Sequence, residues 1–148
     1  MSGENDLIKL YSQRILALAA EIPLTERLAA PQVSARKRSP LCGSTVTVDL
    51  DLADGRIAAF GHDVKACALG QAAASVLGEH VIGRTRDEIA AVREQLAAML
   101  KAGGPVPDAP FDGFEVLLPA RDYKNRHASI LLALDATLAA CDEAVAVV

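Results

Sequence analysis

The stretch Thr45–His62, TVTVDLDLADGRIAAFGH, decides the fold. Val46, Val48, Leu50 and Leu52 alternate with Thr45, Thr47, Asp49 and Asp51, the period of a half-buried strand. Asp54-Gly55 supplies a tight turn, because glycine accepts a positive φ without a Cβ clash. Arg56 to His62 then returns as the antiparallel partner. Upstream, Val33 to Arg38 reads as a third, edge strand, so the centre of the chain is a small meander.

Outward from the meander the period changes to that of helices. Leu7, Tyr11, Ile15, Leu18 and Ile22 recur at steps of three and four, which predicts a helix from about Asp6 to Glu21. A second helix is expected from Ala66 through Leu77, with Gly78 as its C-cap. Thr85 and Glu88 have capping-box spacing, and Ile89, Val92, Leu96 and Met99 form the stripe of a third helix ended by Gly103-Gly104-Pro105. A Pro-rich loop should run past Phe111 and Phe114 to Pro119. The last helix is expected to start between Asp122 and Arg126, with Ile130, Leu131, Leu134, Leu138 and Cys141 inward. Helix, strands, then helices, without repeats, describe a single α+β domain over residues 1–148, with the helices on one face of the sheet.

With 148 residues and a net charge of −4, the chain suits one sizeable core and shows no nucleic-acid-binding surface. The one dense basic run, Arg36-Lys37-Arg38, reads as a solvated edge or a docking patch. The opening residues lack a secretory pattern, and no stretch is long and uncharged enough to cross a bilayer. Three cysteines, an odd number, do not make a disulfide scaffold; a reducing cytoplasm is the expected setting.

Cys42, in SPLCGS between Pro40 and Gly43, suits a turn where a thiol can be reached. Cys67 follows the returning strand at the first turn of a helix, whose N-terminal amides favour an anion. A hairpin brings its two ends together, so these thiols should meet at the sheet's open rim and form a soft-metal half-site. His127, in RHASILL, is in phase with Leu131 and Leu134 at the end of the inward stripe. There an imidazole can coordinate metal, bond a backbone carbonyl, or close the core edge; two converging cysteines favour a ligand. Cys141 repeats the core spacing of the last helix and reads as packing. His62 and His80 default to the surface.

SPLCGS, GHDVKACALGQAAAS and RHASILLALDA, in this order and spacing, resemble the U-type iron–sulfur cluster assembly scaffolds, the IscU/SufU and NifU N-terminal-domain family. The resemblance covers nearly the whole chain and extends to LYSQRIL in the first helix. It implies a SufE/NifU-like α+β fold. It also implies a scaffold that receives sulfur from a cysteine desulfurase, builds a transient cluster (2Fe–2S being the expected type) with iron, and passes it to acceptor proteins. Two departures stand out. The family usually has Asp where this chain has Ser44, and its third cysteine, at the start of the last helix, is absent. His127 matches either the family's histidine, with Ala128 in place of the cysteine, or the cysteine itself, leaving Cys42, Cys67 and His127 as the candidate metal and cluster ligands.

The expected function is therefore a non-enzymatic assembly scaffold with a Cys/Cys/His shell, a nitrogen ligand being compatible with 2Fe–2S centres. The alternative is a degenerate scaffold that holds zinc or iron, or accepts persulfide sulfur, without building clusters. A Cys-His hydrolase would also need a polarising group and an oxyanion hole, for which the sequence offers nothing.

Overall fold

A computed structural model describes residues 12–40 and 43–146. Three antiparallel strands, β1 (Val33–Arg38), β2 (Thr45–Ala53) and β3 (Arg56–Lys65), form a sheet in the order β1-β2-β3. Both hairpins have the expected pairing, with Ala35 opposite Val48 and Val48 opposite His62. Asp54 and Gly55 take φ values of 54° and 77°, the two positive angles of a turn whose twist suits a hairpin. β3 runs three residues past the expected His62, to Lys65.

Val46, Val48 and Leu50 turn one face of the sheet towards the helices and are fully buried there. The last helix, α4 (Lys124–Ala146), lies across β1 and β2 and carries Ile130, Leu131, Leu134 and Cys141 into the same core; Leu138 is half-buried. Beside it pack α2 (Ala68–His80) and α3 (Arg86–Lys101). α3 opens with the expected capping box: Thr85 Oγ1 accepts from the Glu88 amide, and Glu88 Oε1 accepts from the Thr85 amide at 2.9 Å. The first helix within the described residues is α1 (Gln13–Ala20), capped by Ser12; Leu7 and Tyr11 of the expected stripe lie outside them.

The opposite face of the sheet is crossed by the segment that follows α1. Asp49, next to Val48 and hence on the other face, is fully buried. Its carboxylate accepts from Arg27 Nε and Nη2 at 2.6 and 2.9 Å, from the Leu28 amide, and from Ser34 Oγ. These bonds, led by that of Arg27, hold the Asp49 carboxyl below its usual range against the opposing effect of burial. On the neighbouring strand Gly61 lets the Glu26 carbonyl approach so closely that a Cβ would lie 2.3 Å from its oxygen.

Three expectations need correction. Gly78 does not end its helix; α2 continues to His80, and Gly78 is small because Pro23 packs against it, 2.9 Å from where a Cβ would stand. The Pro-rich stretch is not an open loop, since Phe111–Asp122 winds in 3-10 turns that bury Phe111, Phe114 and Leu117. His62 is not on the surface: it is fully buried, its Nε2–H donating to the Pro23 carbonyl at 2.8 Å. His80 is exposed, as expected.

Candidate functional site

The β1–β2 connection and the start of α2 form one rim of the sheet. Arg38 is paired with Thr45, and Thr45 with Lys65, so the connection and the end of β3 lie side by side. The connection is closed by the Ser39 amide donating to the Ser44 carbonyl (2.8 Å) and the Gly43 amide donating to the Ser39 carbonyl (3.0 Å). Gly43 takes a φ of 72°, a conformation that glycine adopts without strain. Cys42 lies outside the described residues, between these two fixed flanks.

Cys67 is the N-cap of α2, half-buried, with its Sγ 3.5 Å from Ser129 Oγ on α4. Ser129 Oγ is also 3.2 Å from Ser44 Oγ. Ser129 therefore joins the first residue before β2, the second turn of α4 and the cap of α2. Close approach makes this possible: a Cβ on Gly70 would stand 2.8 Å from Ser129 Oγ. Sequence reading passed over Ser129; its spacing of two from His127 gave no signal of a site. Ser44, where the resembling family has a carboxylate, contributes a buried hydroxyl instead.

His127 is buried as its phase predicted, but it is placed elsewhere. Its Nε2 lies 2.9 Å from the Ala120 carbonyl, which can only accept, so Nε2 carries the hydrogen and Nδ1 is left as a bare acceptor in the neutral ring. Residues 127 and 129 of a helix point about 200° apart. With Ser129 turned to Cys67, the imidazole stands on the other side of α4, where it lines a cavity together with Leu100 and Arg121. No group of three His, Cys, Asp or Glu side chains among the described residues is placed to hold a metal ion. Cys141 is fully buried in α4, and burial pushes its thiol up to about 11, in line with a packing role. No helix among the described residues is long and apolar enough to cross a membrane.

No protein-family model and no curated protein matches the chain. Solved structures do. The N-terminal part of a nitrogen-fixing NifU-like protein from Brucella abortus superposes with a TM-score of 0.92 at 44% identity, over 95% of this chain and 98% of that one. A putative iron–sulfur cluster assembly scaffold for the SUF system from Fervidobacterium islandicum AW-1 matches with a TM-score of 0.79 at 19% identity, over 90% and 98% of the two chains. The second likeness is one of fold; the first, high in identity over almost the full length of both chains, is one of family. This chain belongs to the NifU-like N-terminal family of U-type scaffold proteins.

Proposed function

We propose that the chain takes up iron and sulfur at Cys42 and Cys67, holds them as a nascent iron–sulfur cluster, and passes the cluster to acceptor proteins. The observation that carries this reading is Cys67. It caps a helix, is partly open to solvent, and sits on the same rim as the turn containing Cys42. The likeness to the NifU-like and SUF-system structures supports it. On this reading the protein is a cytoplasmic carrier, not an enzyme. Its sulfur comes from a cysteine desulfurase, and Arg36, Lys37 and Arg38, exposed on edge strand β1 beside the cysteine turn, favour an acidic docking surface on that partner.

Two thiolates fill half of a four-coordinate shell, and soft sulfur donors suit iron in clusters as well as zinc. On this reading the site rests on these two thiolates, with the remaining positions filled by sulfide and by donor atoms of a partner. His127 as a third ligand is kept as a second reading by one observation: its Nδ1 has no partner among the described residues. Ligation through it requires the first turn of α4 to rotate or unwind.

Anaerobic reconstitution with iron, cysteine and a desulfurase tests the proposal. The natural sequence should gain the visible absorption of a cluster, with iron and sulfide in comparable amounts, and Cys67→Ser should lose both. Zinc alone, with no sulfide retained under these conditions, would favour the degenerate metal-holding module instead. His127→Ala should keep the cluster if two thiolates hold it, losing about 1 kcal/mol of stability with one of the two hydrogen bonds to the buried Ala120 carbonyl, which keeps the Tyr123 amide. Loss of the cluster with the fold intact would make His127 a ligand.

A further inference from the structure

On the side of α4 away from Cys67, the imidazole of His127 helps to line a cavity of about 480 Å³, a size suited to a small organic molecule. Lys101, at the end of α3, Arg121, at the end of the 3-10 segment, and Lys124, at the start of α4, converge on it, against a single carboxylate, Asp122. None of these four side chains forms an ion pair among the described residues, whereas most other arginines in the chain do. In a protein with a net charge of −4, this is a local excess of positive charge, three cations against one carboxylate.

The cavity is also preorganised. Arg121 Nε donates to the Met99 carbonyl at 2.8 Å and Nη2 to the Gly104 carbonyl at 3.2 Å, which fixes the guanidinium and satisfies the carbonyl end of α3. The opposite, positive end of the α4 dipole begins at Lys124 on the same wall. His127 is 97% removed from solvent, and in the neutral ring, with its Nε2–H committed to Ala120, its Nδ1 accepts. A ligand that satisfies this lining carries two or more negative charges for the cations and one hydrogen-bond donor for Nδ1.

We propose that this cavity binds a small hydroxycarboxylate. Its carboxylates meet Lys101, Arg121 and Lys124, and its hydroxyl donates to His127 Nδ1. The site lies on the side of α4 away from Cys67 and rests on the reading in which two thiolates, without His127, hold the cluster.

Calorimetric titration of the metal-free full chain with citrate tests this. Citrate should bind, more weakly as salt is raised. The Lys101→Ala/Lys124→Ala double variant, which changes only exposed side chains, should lose at least about tenfold in affinity, equivalent to about 1.4 kcal/mol. Tricarballylate, which has the three carboxylates of citrate without the hydroxyl, should bind several-fold more weakly. Inorganic phosphate should be weaker than citrate, because one compact ion offers fewer separate anionic groups to the three cations and no aliphatic hydroxyl to His127. Absence of citrate binding, equal affinity in the double variant, equal affinity for tricarballylate, or tighter binding of phosphate would each overturn the assignment.

Discussion

Gly61 has the least room of the described glycines. A methyl group there meets the Glu26 carbonyl at 2.3 Å, and that backbone cannot step aside while Arg27 and the Leu28 amide are bound to Asp49 one strand away. The Gly61→Ala substitution should therefore cost about 3 kcal/mol, the upper part of the range for overfilling a packed site, as measured by urea unfolding. A loss below about 1 kcal/mol would mean that the Leu24–Leu28 segment lifts freely from the sheet. Asp49 gives the same region its electrostatic anchor. A buried carboxylate with four donors is stable as an anion only while the segment above it stays in place.

At the scale of elements, β3 owes its burial to what covers its edge. His62 is neutral in the fold: burial lowers its pKa from the ordinary 6.5, only partly opposed by the bond to Pro23 and by Asp63. The unfolded chain takes up a proton near pH 6.5 while the folded one does not, so stability is full above that pH and declines as pH falls below it. The unfolding free energy from urea titration should drop between about pH 7 and pH 5.5, by up to about 1.4 kcal/mol per pH unit at the steepest. His62→Gln, which keeps a donor for Pro23, should flatten that slope; an unchanged slope would place the titration elsewhere.

The same edge shows what could be read from the sequence. The strands were legible because alternation is a local signal and Asp54-Gly55 has few other uses. The capping box was legible for the same reason. His62 was not, because Pro23 and Leu24 cover it from 39 and 38 positions away in the chain. Gly78 misled because packing against Pro23 and ending a helix call for the same residue. The 3-10 segment has no apolar period to find. At the site, Cys67 was placed by the hairpin, and the phase of His127 gave its burial correctly. What phase could not give was the rotation of α4 relative to α2, and that rotation brings Ser129 to Cys67 while His127 stands on the other side of the helix.

Across the whole molecule, net negative charge hides a basic end. The basic run Arg36–Arg38 flanks the cysteine turn, so positive charge is concentrated at that rim. Long-range attraction would orient an acidic partner towards this end before contact.

Cys141 has a different consequence, as a clock. Its sulfur is fully buried with a pKa of about 11, so at pH 7 only about one thiol in ten thousand is ionised even before access is considered. Alkylation there must wait for α4 to leave the core, and its rate follows the population of that opened form. Site-resolved mass spectrometry under native conditions should find Cys67 modified early and Cys141 late. Gly61→Ala should speed the modification of Cys141 by about a hundredfold, the equivalent of its 3 kcal/mol, and leave that of Cys67 nearly unchanged. Early modification of Cys141 in the natural sequence would mean that α4 opens locally, without the rest of the fold.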